Sequence, residues 1–441
     1  MRRLSPGSRR DFLRRTLGAS AGLTLSPSLA SLSPAADRAV TRDPAAGSLR
    51  QTFPDLERHF VFEYYPWYGG PPDYVHWDYL DRKPPLDLAS RYYPRLGPYD
   101  VRQAAVVEQH ARWIRDAGVG AVALSWWGRG SWEDRAVPLI LDVLAAHDLK
   151  ATFALEPYTD SRGSRYADDV MYLLTEYGEK RKWDAFLLLQ DANGRTGPVF
   201  KSFATILPET STDCLGETSP VGLYTPDHVW REQTDTLRRR LRADFDHVTL
   251  LADSLEFART PASGFDGIGT YDNYLTPDRY RPLAEGASAA GLLFSFHVNP
   301  GYDQIEPREP DDPCYGPRAF APAVSGLDFT TADGRERAAA ASAQRIRDSW
   351  TAALDVQRDT ALANARRGFL LIYVNSFNEW HEGHAFEPMA DAADLTSAQK
   401  AQGYRDPAQG DYRLKTLGEL QRSLLSATPA DAGKRHPRPA A

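Results

Sequence analysis

Short apolar runs alternate along this chain with segments whose apolar residues recur at helical spacing. The runs fall at residues 60–62, 119–125, 150–155, 198–202, 247–251, 265–270, 292–296 and 368–375. Each has the length and near-continuous apolar character of a strand buried on both faces. Between them, 101–117 sets Val106, Val107, Trp113, Ile114 and Ala117 on one helical face, with Gly118 as its stop. Val137, Ile140, Leu141 and Leu144 mark the next helix, another is expected near 168–177, and Leu414, Leu417, Leu420, Leu424 and Leu425 mark a last one over 411–425. Eight strand–helix units at crossover spacing predict an α/β chain folded as a single (β/α)8 barrel over residues 51–426.

Polarity at the strand ends sharpens the picture. The well-defined runs hand over to polar or aromatic clusters: Tyr64-Tyr65-Pro66-Trp67, Ser125-Trp126-Trp127, Glu156-Pro157-Tyr158, Thr270-Tyr271-Asp272, the stretch from His297 to Tyr302, and Asn378-Glu379-Trp380-His381-Glu382. A parallel barrel gathers all its strand C-termini at one face, where barrel enzymes place their chemistry. The last cluster is the densest, with His384 and Glu387 following, and no core absorbs so many titratable groups without a purpose.

The ends of the chain read differently. Arg9-Arg10-Asp11-Phe12-Leu13, a weakly apolar stretch over 17–25 and Ser28-Leu29-Ala30 are expected to form a twin-arginine-type export signal over 1–30. Residues 31–50 are expected to be a flexible linker and 427–441 a disordered tail. The mature protein is therefore expected in the periplasm or outside the cell, as a monomer without stable membrane insertion.

Composition narrows the partners. A net charge of −7 with interspersed signs offers no basic footprint for nucleic acid. The 10 Trp and 21 Tyr are many, and aromatic faces pack against the C–H faces of sugars. Cys214 and Cys314 are the only cysteines, and their spacing leaves a disulfide open.

Glu379 and Glu382 stand three residues apart, so a turn brings both carboxyls to one side. Two carboxylates facing one cavity are what hydrolysis of an acetal needs: one gives a proton to the leaving oxygen while the other acts as base or nucleophile. His381 and His384 among these acids match no common zinc spacing. Neither a metal nor another cofactor is expected, and no phosphate loop or serine-nucleophile elbow is present.

At these residues the chain resembles glycoside hydrolase family 99, the endo-α-mannosidases and endo-α-1,2-mannanases. The resemblance rests on the stretch from Ser376 to Gly383 and, in the same order, on Tyr64 to Gly69, His76-Trp77, Leu96 to Tyr99, Leu124-Ser125-Trp126, Glu156-Pro157-Tyr158, Phe265 to Ile268 with Thr270-Tyr271, and Pro300-Gly301-Tyr302. It implies a (β/α)8 barrel, retaining hydrolysis of α-mannosidic links in a polysaccharide or oligosaccharide, and no metal. It also implies that Glu379 deprotonates the sugar's 2-hydroxyl, that Glu382 is the general acid and then base, and that Tyr65, Glu156, Tyr271 and Asn378 hold the sugar. The chain departs from the family pattern in several places, the short loop after Trp127 among them. Phe200-Lys201-Ser202-Phe203 replaces Tyr-Asp-Ser-Tyr, Gly269 stands where many members carry Tyr, and the segment from Ile305 to Arg308 replaces Ile-Arg-Pro-Trp-Asn. Lys201 either suits an anionic or modified α-linked sugar or pairs with a neighbouring carboxylate. A non-hydrolytic carbohydrate-binding barrel has no need of both glutamates.

Overall fold

The computed structural model describes residues 46–310 and 312–426; the expected export signal and C-terminal tail lie outside them, as does most of the expected linker. The first described helix, Ala46–Thr52, begins inside the span expected to be linker.

Eight parallel strands form the barrel: β1 Phe60–Tyr64, β2 Ala121–Trp126, β3 Lys150–Leu155, β4 Thr196–Ser202, β5 Thr249–Ala252, β6 Gly267–Gly269, β7 in two pieces at Leu293–Ser295 and His297–Val298, and β8 Ile372–Val374. All eight coincide with the apolar runs. The break at Phe296 closes the ring. The first piece of β7 pairs with β6, Ser295 opposite Gly269, while the second pairs with β8, His297 opposite Tyr373. Strand β8 then pairs with β1, Phe62 opposite Val374.

The two-residue period of a strand explains the layering. In β1, Phe60, Phe62 and Tyr64 point outward into the large core shared with the helices, whereas Val61 joins a second cluster inside the barrel. Ala121, Ala123 and Ala154 share that interior, and such small residues leave room there for Leu371 and Tyr373. Outside, Ala104–Asp116 stops at Gly118 as expected, with φ +73°. The helix expected near 168–177 starts earlier, as Arg162–Leu173, and continues as a π turn to Gly178. Helix Tyr412–Leu425 packs against the 27-residue helix Ala332–Arg358 that follows β7.

Two excursions rise from the strand C-terminal ends. The one after β4 carries a small hairpin, Thr210–Thr212 with Thr218–Pro220. The one after β7 runs to the N-cap of the long helix, Thr331. Cys214 in the first and Cys314 in the second form a disulfide, Cα atoms 5.5 Å apart, so the question left by the sequence is answered.

Candidate active site

The segment after β8 carries both glutamates. Ser376 is its hinge point: its hydroxyl accepts from the Glu379 backbone N–H at 2.8 Å and lies 3.0 Å from His384 Nδ1. On its other side, His384 Nε2 is 3.1 Å from Glu382 Oε2 and 3.2 Å from the Tyr271 hydroxyl. Tyr271, just past β6, donates to the same Glu382 oxygen at 2.6 Å. Gly383 makes the turn between the histidine and the acid, at φ +68°, where a Cβ would sit 2.2 Å from the Asp303 carbonyl oxygen.

Glu379 has different neighbours. It is buried, with His381 Nδ1 3.6 Å from its carboxylate. The other nitrogen of His381 lies 2.7 Å from the His76 carbonyl, which can only accept, so Nε2 carries the proton. Trp67 stacks on both His76 and His381, at 4.8 and 5.8 Å between centroids. Burial first, and the adjoining His381 second, hold the His76 imidazole well below its usual range. Tyr68 stands on the same wall, its phenol pushed well up by burial and then by the Glu379 charge.

The other expected residues reach this face from their own strands. Glu156, past β3, is fully buried and accepts from Ser125 at 2.9 Å, while Trp127 donates to that serine at 3.2 Å. The hydroxyl of Tyr65 donates to Glu63 at 3.2 Å. Asn378 is buried between the β8 and β1 exits. Its side-chain oxygen accepts from the Tyr65 N–H at 2.7 Å, and its amide nitrogen donates to the Tyr65 carbonyl at 3.0 Å. That amide therefore clamps the β8 exit to the β1 exit. Glu387, in the same dense cluster, is a buried brace that accepts from Tyr99 and Trp380 at 2.7 and 3.0 Å.

Lys201 takes the second of its two expected roles. It lies in the barrel interior, 1% exposed, ion-paired with Glu63 and donating to the Thr270 carbonyl at 3.0 Å. Its ammonium also sits 4.7 Å from the Tyr373 ring centroid. A cation so enclosed presents nothing to a sugar, so the anionic-substrate reading loses Lys201 as its support. Gly269 belongs to the same change: a Cβ there would already lie 3.4 Å from Lys201 Cδ. Glu63 was missed by sequence reasoning, and its one signal was parity, since it follows Val61 by two residues and so shares its inward face of β1. Among the described residues, no group of three or more His, Cys, Asp or Glu side chains is placed to hold a metal ion. No helix among them is long and apolar enough to cross a membrane.

Known proteins resemble parts of the chain. A family model described as glycosyl hydrolase family 99 matches residues 55–187. A glycoprotein endo-alpha-1,2-mannosidase-like protein from Danio rerio is 27% identical over 360 residues, 74% of this chain and 69% of that one. A glycoprotein endo-alpha-1,2-mannosidase from Xenopus laevis is 26% identical over 367 residues, 76% and 70% of the two chains. The solved structure of the GH99 endo-alpha-mannosidase from Bacteroides thetaiotaomicron in complex with bis-tris propane superposes with a TM-score of 0.59 at 21% identity. It covers 84% of this chain and 99% of that one, and the two share the barrel fold.

Proposed function

We propose that this glycoside hydrolase, a divergent member of glycosyl hydrolase family 99, is an exported endo-acting enzyme that cleaves α-mannosidic links with net retention. One observation carries the reading: two buried glutamates at the β8 exit, joined through Ser376 and His384, have unlike surroundings. Unlike surroundings are what separate an acid from a base in one site. The names of the relatives, endo-alpha-1,2-mannosidase and its like, support mannose as the sugar.

In this reading Glu379 takes the proton of the substrate 2-hydroxyl, and that oxygen attacks the anomeric carbon. The glycosidic bond breaks as Glu382 passes its proton to the departing oxygen, leaving a 1,2-anhydro sugar. Glu382, now a carboxylate, then takes a proton from water as the water attacks the anomeric carbon. The three-membered ring opens, and its oxygen recovers the proton from Glu379. Two inversions give retention, without the glycosyl-enzyme bond of most retaining enzymes. Tyr271 holds Glu382, while Tyr65 and Glu156 line the sugar's side of the cleft.

Export is supported by the order Arg-Arg-x-Phe-Leu near the N-terminus and by the Cys214–Cys314 disulfide, a bond suited to an oxidising compartment. Glu379→Gln and Glu382→Gln test the function. Each should keep the circular dichroism of the fold and lower turnover of α-1,2-mannan by about 10²–10⁴-fold. Near-wild-type turnover in either variant would remove the assignment.

A further inference from the structure

The excursion after β7 is fastened at three points around Arg318. The Cys214–Cys314 disulfide holds it on one side. Tyr302 and Ala321 exchange backbone hydrogen bonds of 2.8 and 2.9 Å, and the Tyr274 hydroxyl donates to the Ala319 carbonyl at 2.7 Å. Gly301 permits this closeness, because a Cβ there would fall 1.9 Å from the Ala321 oxygen.

So held, Arg318 is exposed, its guanidinium carbon 5.4 Å from the Tyr274 centroid and 5.8 Å from that of Tyr302. Both distances are within the range of cation–π attraction. The two rings lie 5.0 Å apart, and Tyr302 is 6.2 Å from the ring of His384, the histidine bonded to Glu382. Burial, offset by Arg318 and added to by Glu382, pushes the Tyr274 phenol up to about 12, which places this ring within the field of the acid.

Arg318 differs from the other arginines of this rim. Arg82 pairs with Asp87, Arg91 with Glu306, Arg308 with Asp87, and Arg405 with Asp303. Among the described residues, no carboxylate lies within ion-pair distance of Arg318, and none of its N–H groups has a hydrogen-bond acceptor. Two aromatic faces thus position an arginine whose donors no described residue engages.

The position assigns the side of the cleft, resting on the roles proposed above for the two glutamates. The wall of Trp67, His76 and His381 stands by Glu379, where the sugar keeps its 2-hydroxyl. Tyr274, Tyr302 and Arg318 stand by Glu382, which must meet the departing oxygen. We propose that Arg318 recognises a negatively charged substituent, a phosphate or a carboxylate, on the leaving-group part of the glycan, so that the preferred substrate is an anionic α-mannoside. A planar guanidinium matches either group with two parallel N–H bonds.

The test compares wild type with Arg318→Gln on α-1,2-mannotetraose in three forms: neutral, 6-phosphorylated on the reducing-end sugar, and oxidised at that end to the aldonate. For an exposed ion pair the expected preference in kcat/KM for a charged form is about three- to fivefold. Arg318→Gln should abolish it while leaving the neutral substrate within about twofold, and 0.5 M salt should weaken it in the wild type. A gain with the phosphate alone or with the aldonate alone names the group read. Equal rates on all three forms in the wild type, or an equal loss on all three in the variant, would overturn the proposal. Calorimetric titration with α-1,2-mannobiose and its 6-phosphate runs alongside. If no tetraose is cleaved yet the phosphate binds more tightly in an Arg318-dependent way, the proposed hydrolysis fails and the recognition stands. If neutral tetraose is cleaved but neither rate nor binding depends on charge, the reverse holds.

Discussion

The hydroxyl of Tyr271 donates to Glu382 Oε2 at 2.6 Å, across 111 residues of sequence. The ring that carries it is itself set edge-on against Phe203 at 5.2 Å, so one of the departures from the family pattern packs directly behind the acid's partner.

Removing that hydroxyl should weaken the site without emptying it. A hydrogen bond contributes about 0.5–1.5 kcal/mol net, so Tyr271→Phe should lower kcat/KM on α-1,2-mannotetraose by about 2- to 10-fold. His384 still touches Glu382 in that variant, which is why loss should stop short of that in Glu382→Gln. Steady-state kinetics on the two variants check the order.

Lys201 and Glu63 form a pair in which each depends on the other. Lys201→Met would leave a carboxylate alone in the barrel interior, at a cost of about 3–5 kcal/mol in unfolding free energy. Adding Glu63→Gln should restore most of that stability, because a neutral amide still accepts from the Tyr65 hydroxyl now bonded to Glu63 at 3.2 Å. Urea melts of the wild type, the single variant and the double variant measure the coupling. Additive losses would show that the pair does not act as a unit.

Two buried groups should tilt stability with pH in opposite senses. Burial first, with the charge of Glu156 among lesser causes, raises the Glu133 carboxyl from 4.5 to about 7. The folded state then holds a proton that the unfolded chain releases, so this stabilisation is full below pH 4.5 and lost as pH rises through 7. Burial lowers His59 from 6.5 to about 4, and its stabilisation is present above 6.5 and lost as pH falls through 4. Glu133→Gln should therefore gain up to about 3 kcal/mol over wild type at pH 8 and almost nothing at pH 4.5. Both proteins should still weaken towards pH 4 through His59. Denaturant melts at pH 4.5, 6 and 8 test this, and a gain independent of pH would contradict it.

Much of the barrel was legible because its strands are apolar on both faces and end in polar clusters. Strand β7 shows where legibility stops: its break at Phe296 closes the ring, and no local pattern signals which neighbour each half pairs with. The site was legible to the extent that its motif is local, as at Glu379 and Glu382. Lys201 was ambiguous because its partner Glu63 lies 138 positions away and meets it only inside the closed barrel. Gly269 and Lys201 looked like two departures and are one, since the lysine stem occupies the space a larger residue at 269 would need. For Asn378 the family resemblance implies contact with the sugar, while its bonds to the Tyr65 backbone, 313 positions away, depend on the closed barrel and leave no local signal.

A two-step hydrolysis of an α-mannosidic link by Glu379 and Glu382 fixes the anomer released. Proton NMR of the anomeric region during cleavage of α-1,2-mannotetraose follows the first product formed before mutarotation. The new reducing end should appear as the α anomer and only later equilibrate with β. Initial release of the β anomer would contradict the two-step hydrolysis.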